Sequence, residues 1–147
     1  MSFEPINILL ADDDLDDCEF FQNALKELPI STHLTIVNDG TELMDFLNSN
    51  TKNIPDVLFL DINMPRKNGM ECLCEIRNEL RFIDLPIIMF STSNSQDKIK
   101  QVFRIGGHVY IRKPADFGQL KQLILNALPI ATDKMFSNGP IKYILNA

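Results

Sequence analysis

No stretch of this 147-residue chain approaches the ~20 consecutive apolar residues that a membrane-spanning helix needs. The opening Met1-Ser2-Phe3-Glu4-Pro5 has no basic run leading into an apolar one, so it does not read as a secretory signal. Cationic clusters are missing too. Lys and Arg total 14 against 20 Asp and Glu, for a net charge of −6. That balance disfavours non-specific nucleic-acid binding, because phosphate contacts need surplus cations. Cysteine is scarce, and Cys18, Cys72 and Cys74 complete no zinc set, since His33 and His108 stand alone. Cys72 and Cys74 are two apart, a spacing that turns them in different directions on a helix. All three read as packing residues in a reducing, cytoplasmic setting. The loop after the first apolar run holds aspartates instead of a glycine- or hydroxyl-rich phosphate cradle, which disfavours a cofactor binder of that kind. No repeat, linker or second domain is visible.

What is present suits one globular domain with a real core: 45% hydrophobic and 23% charged residues. Strand-like and helix-like segments alternate. Strands are expected at 6–11, 34–37, 57–60, 87–90 and 109–112. The intervening segments carry apolar residues at helical spacing. The first, over 15–28, has Phe20, Phe21, Ala24, Leu25 and Leu28, with Pro29 as its stop. The others are expected at 41–47, 69–78, 97–105 and 117–128, the fourth ended by Gly106-Gly107. Five βα units in series imply an α/β fold, a parallel sheet with helices on both faces. The near-continuous apolar strands agree with burial on both sides. Right-handed crossovers leave few topologies. The flavodoxin-like order 2-1-3-4-5, adopted from known doubly wound domains, is the expected one. Beyond 128, Ile141, Tyr143 and Leu145 alternate with Lys142, Ile144 and Asn146, which suggests a short strand in an arm over 129–147. That arm either lies on its own domain or pairs with a partner or second copy.

The strands end on residues with chemistry to offer. Ile8-Leu9-Leu10-Ala11 runs into Asp12-Asp13, Val57-Leu58-Phe59-Leu60 into Asp61, Ile87-Ile88-Met89-Phe90 into Ser91-Thr92, and Val109-Tyr110-Ile111-Arg112 into Lys113-Pro114. In an open α/β sheet, ligands bind beyond the carboxyl ends of the strands. Helix capping and the helix dipole account for Asp14, Asp16 and Asp17. They account less well for Asp12, Asp13 and Asp61, three like charges that repel unless a cation compensates. Mg²⁺ prefers oxygen ligands and fills its remaining sites with water and phosphate oxygens. The Asn63 carbonyl could add a ligand. A carboxylate can attack phosphorus to form an acyl phosphate. Ser91 could hydrogen-bond a phosphoryl oxygen, and Lys113 could pair with Asp61 and then with the phosphate. Pro114 raises the prospect of a cis peptide that aims Lys113 into the site.

The pieces ILLADDD, VLFLDINMPRKNGM, LPIIMFSTS and YIRKPADFGQL, in this order and spacing, resemble the receiver domain of bacterial two-component response regulators. The resemblance covers about Ile6 to Leu128. It implies that Asp12 and Asp13 form the acidic pair, Asp13 binding Mg²⁺ (or Mn²⁺) directly and Asp12 largely through water. It implies Asp61 as phospho-acceptor and metal ligand, the Asn63 carbonyl as the third protein ligand, Ser91 as switch hydroxyl and Lys113 as phosphate-binding lysine. Tyr110 is then the aromatic switch residue, a half-buried strand aromatic. Asn63, Thr92 and Ser93 hold positions that tune phosphate lifetime. The implied function is a single-domain receiver over 1–128, with no output domain, that takes phosphate from a sensor histidine kinase and signals to a downstream protein. Short receivers with STS after the fourth strand look similar to those serving phytochrome-type kinases. The surface from the fourth helix to the fifth strand and the 141–145 arm are both candidates for homodimer contacts. The alternative is a small Mg²⁺-dependent phosphohydrolase with an aspartate nucleophile. Such enzymes usually carry a second aspartate two positions later, where this chain has Asn63.

Overall fold

A computed structural model describes residues 4–50, 52–93, 95–107 and 109–132, together with the backbone of 143–145. Five strands, β1 (Ile6–Ala11), β2 (Thr32–Val37), β3 (Val57–Leu60), β4 (Ile87–Ser91) and β5 (Val109–Arg112), alternate with five helices. These are α1 (Leu15–Lys26), α2 (Gly40–Ser49), α3 (Gly69–Arg77), α4 (Gln96–Ile105) and α5 (Phe117–Thr132). The sheet order is β2-β1-β3-β4-β5, as expected, and all these pairs are parallel. A short sixth strand, β6 (Tyr143–Leu145), extends it in parallel beside β5, Val109 opposite Tyr143 and Ile111 opposite Leu145. The expected arm strand therefore adds to this chain's own sheet. Ile141 and Asn146 lie outside the described residues.

Alternate residues of each strand feed two cores, which is why the strands are apolar throughout. Leu9, Leu58, Leu60, Met89 and Tyr110 face a core closed by α2, α3 and α4 through Leu43, Leu73, Ile76 and Val102. Leu10, Phe59, Ile88, Phe90 and Ile111 face a second core closed by α1 and α5 through Phe21, Leu25, Leu120 and Ile124. In that second core the Phe21 and Phe59 rings meet edge to face at 4.9 Å. Such aromatic pairs fix mutual orientation as well as burying area.

Helix starts follow the capping chemistry of the sequence. Asp14, Asp39 and Ser95 cap α1, α2 and α4, and Asn68 and Glu71 form a reciprocal capping box at α3. Helix ends depart from expectation. α1 stops at Lys26, ahead of Leu28. α5 runs through Pro129 to Thr132 and does not end near Leu128. Burial of Leu128 and Ala131 holds that last turn, and the Thr132 hydroxyl donates to the Leu128 carbonyl at 2.7 Å. A one-turn 3-10 helix at Leu80–Phe82 was not foreseen; its Phe82 anchors the loop before β4 in the core. Among the cysteines, Cys18 and Cys72 pack inside as expected, whereas Cys74 is exposed, because the helical period turns it to the outer face of α3.

Candidate functional site

The carboxyl ends of β1, β3, β4 and β5 come together, and backbone bonds continue the ladder past the strands to fix the loops. The Asp12 N–H donates to Val37, Asp61 to Ala11 and Lys113 to Ser91. This brings carboxylate oxygens of Asp12, Asp13 and Asp61 within 4.8 Å of one another. Asp12 and Asp61 are buried while Asp13 is exposed, so the cluster opens to solvent on the Asp13 side. The donor set is all oxygen and strongly anionic, which fits a hard divalent cation such as Mg²⁺ or Mn²⁺. Cys18, just beneath, is unsuited to that role. Burial, reinforced by the Asp12 charge, pushes its thiol up to about 12. It remains a thiol whose Sγ donates to the Asp12 carbonyl at 3.4 Å.

Asp61 bears the electrostatic strain of the cluster. Burial raises its pKa from 3.8 to about 7; the Asp12 and Asp13 charges add to the rise, while Lys113 and the Asn63 N–H oppose it. That N–H reaches Asp61 Oδ1 at 3.4 Å, a long contact, from a residue that is otherwise exposed. Burial opposes the charge on Lys113 as well. There the hydrogen bond to Asp12, with the charges of Asp61 and Asp12, wins and holds the ammonium above its ordinary range.

The expected pairing of Lys113 with Asp61 is present, but as the longest of three ion pairs. Its Nζ lies 2.7 Å from Asp12 Oδ2 and 3.0 Å from Asp17 Oδ2, but 3.6 Å from Asp61 Oδ2. Asp12 is fully buried and has nothing closer to neutralise it, so it takes the ammonium first. Asp17 reaches it from the first turn of α1, a role beyond the helix-dipole one expected of it. No cis peptide occurs among the described residues, so the Lys113–Pro114 bond is trans. Lys113 reaches the site because β5 delivers it, with its N–H already tied to Ser91.

Ser91 is fully buried at the end of β4. Its hydroxyl oxygen accepts from the Ser93 N–H at 3.2 Å, and the Ser93 hydroxyl oxygen accepts from Ser95 at 3.2 Å. The Ser95 hydroxyl in turn caps α4 at the Lys98 N–H, 3.4 Å away. Hydroxyl-to-amide bonds thus link Ser91 to the first turn of α4. Tyr110 is completely buried, more than the half-burial expected, because its ring belongs to the α2–α4 core. Its hydroxyl donates to the Ser93 carbonyl at 2.6 Å. Thr92 is exposed and Ser93 partly so.

Comparison with known proteins agrees with this arrangement. The family model for the response regulator receiver domain matches residues 8–125. Response regulator Rcp1 of Synechocystis is 28% identical over 124 residues, covering 82% of this chain and 84% of that protein. The solved structure of the phosphorylated cyanobacterial phytochrome response regulator RcpA superposes with a TM-score of 0.79 at 30% identity, covering 87% of this chain and 94% of that one. The Mn²⁺-bound form of Rcp1 superposes with a TM-score of 0.76 at 26% identity, covering 88% and 96%.

Proposed function

The chain belongs to the response regulator receiver family, and from that membership we propose that Asp61 is its phospho-acceptor, with Asp12 and Asp13 holding the divalent cation. The observation that carries this reading is the convergence of the Asp12, Asp13 and Asp61 carboxylates beside the Lys113 ammonium. The Mn²⁺-bound state of Rcp1 and the phosphorylated state of RcpA support it by similarity. A bound Mg²⁺ would offset the crowded negative charge and screen the incoming phosphoryl oxygens. Asp13, Asp61 and the Asn63 carbonyl would be its direct protein ligands, and Asp12 would act largely through water.

In this reading a histidine kinase presents a phosphohistidine. An Asp61 carboxylate oxygen attacks phosphorus in line, the P–N bond breaks, and its electron pair stays on the histidine nitrogen, which takes up a proton. Lys113 supplies positive charge to the transferred group. The Ser91 hydroxyl, whose oxygen accepts from Ser93, would donate its proton to a phosphoryl oxygen. Drawing Ser91 inward pulls the Ser93–Ser95 chain and the start of α4, and Tyr110 follows through its bond to Ser93. A local charge change thus biases a two-state surface formed by α4, β5 and α5.

We assign the kinase to the phytochrome type, because the structurally similar RcpA is a cyanobacterial phytochrome response regulator, and the output to a protein contact. The receiver extends through α5 to Thr132, and since β6 is paired within this chain's own sheet, the α4–β5 surface is the one assigned to homodimer contacts. Asn63, Thr92 and Ser93 tune how long the phosphate survives, and the domain assists its own dephosphorylation. The setting is the cytoplasm; among the described residues no helix is long and apolar enough to cross a membrane. The phosphohydrolase alternative is not favoured.

The test is incubation with Mg²⁺ and a small acyl phosphate donor, followed by intact mass. One added phosphoryl group is expected, lost in Asp61→Ala and lost with chelator. Labelling that persists in Asp61→Ala would overturn the assignment.

A further inference from the structure

Lysine has three N–H donors and no acceptor. In this chain two of the Lys113 donors are engaged at bonding distance, by Asp12 at 2.7 Å and by Asp17 at 3.0 Å. Asp61, at 3.6 Å, is beyond a good hydrogen bond. The two close partners differ in kind. Asp12 is fully buried, and its second oxygen accepts from the Asp14 N–H at 3.0 Å, so it is fixed. The Asp17 side chain is 39% exposed, on the first turn of α1, where water can replace the ammonium as its partner. Asp17 is therefore the exchangeable partner of the lysine.

We propose that Asp17 is a positioning residue that holds Lys113 toward α1 while Asp61 is unmodified, and that competes with the phosphoryl group for that ammonium once Asp61 is modified. This rests on the phospho-acceptor reading above. An acyl phosphate on Asp61 places more negative charge near the lysine than a carboxylate does. The ammonium then turns from Asp17 toward it, and Asp17 is left to water. Asp17 thereby sets part of the balance between the unmodified and modified states, and its removal favours the modified one.

Beryllofluoride with Mg²⁺, a tetrahedral mimic of a phosphoryl group on a carboxylate, reads that balance without turnover. Its affinity is measured by fluorine NMR titration of the unsubstituted chain, Asp17→Asn and Asp16→Asn. Asp16 is the control: it lies in the same first turn of α1 and bears the same charge, but it makes no ion pair with Lys113. Asp17→Asn is expected to tighten binding by roughly three- to thirty-fold, inside the range of coupling between residues in contact, while Asp16→Asn stays within about two-fold. Thermal melting of each variant reports on the fold itself; a purely structural role for Asp17 would lower the melting temperature and weaken binding. Unchanged or weaker binding in Asp17→Asn overturns the proposal, as does equal tightening in both variants, which would reflect net charge alone. If the unsubstituted chain forms no beryllofluoride complex, the phospho-acceptor reading fails and this one with it; a normal complex with an unresponsive Asp17→Asn overturns this one alone.

Discussion

At the scale of single residues, the site spends stability on reactivity, and Asp61 is where this can be measured. Its pKa in the folded chain is raised from 3.8 to about 7, mainly by burial. Between those values the folded state holds a proton that the unfolded state has released, so stability falls as pH rises from about 4 to about 7. The loss is complete above the folded value. At pH 8 without divalent metal, Asp61→Asn is expected to stabilise the fold, by at most about 4 kcal/mol at 1.36 kcal/mol per pKa unit. Near pH 4 the gain should vanish, and Mg²⁺ at pH 8 should cancel it by stabilising the unsubstituted chain alone. Urea denaturation over this pH range is the measurement; a gain equal at pH 4 and pH 8 would mean that packing is its cause and the charge is not. The residues of this site were legible in the sequence where they end strands, as Asp12, Asp61, Ser91 and Lys113 do. Asp17 was not, because its partner lies 96 positions away and its local setting, an acid in a first helical turn, already explains itself.

At the scale of elements, the loop that starts at Asp61 is pressed against the start of α3. The Gly69 N–H donates to the Ile62 carbonyl at 2.8 Å. A Cβ built on Gly69 would collide with the Asp61 carbonyl oxygen, with Ile62 backbone close behind. Neither neighbour is a flexible side chain, so the backbone would have to move. Gly69→Ala is expected to destabilise by about 1–3 kcal/mol, the usual cost of overpacking, and to slow labelling of Asp61 by shifting it relative to Asp12. Chemical denaturation and the rate of mass labelling check the two effects separately; unchanged labelling at reduced stability would show that the acceptor tolerates displacement of α3. Apolar period and capping residues located the helices. Their ends were harder to read, since tertiary burial decides them. Pro129 looks like a stop, yet Leu128 and Ala131 are buried on either side of it and the helix continues. Leu80–Phe82 is too short for periodicity to show.

At the scale of the whole molecule, β6 changes what the β5 edge of the sheet presents. Its backbone pairs with Val109–Ile111, setting Ile144 opposite Tyr110 on the strand that leads into Lys113. The arm therefore occupies the edge that a five-stranded receiver would leave open, and such edges invite pairing with other chains. The strand order was legible only through family resemblance, because chain reversals and crossovers leave several orders open. That the arm joins its own sheet could not be read from alternation alone, which equally suits an intermolecular strand. The residues that build the two cores and the site lie between Ile6 and Ala131, so a chain ending at Thr132 is expected to fold and still take one phosphoryl group on Asp61. Its β5 amides, with one strand neighbour gone, should exchange with deuterium faster, while those of β1 and β3 in the sheet interior stay as slow as before. Exchange mass spectrometry resolves the strands. Unaltered β5 exchange would mean that β6 is not held there in solution, and loss of phosphoryl uptake would make the arm part of the acceptor's own support.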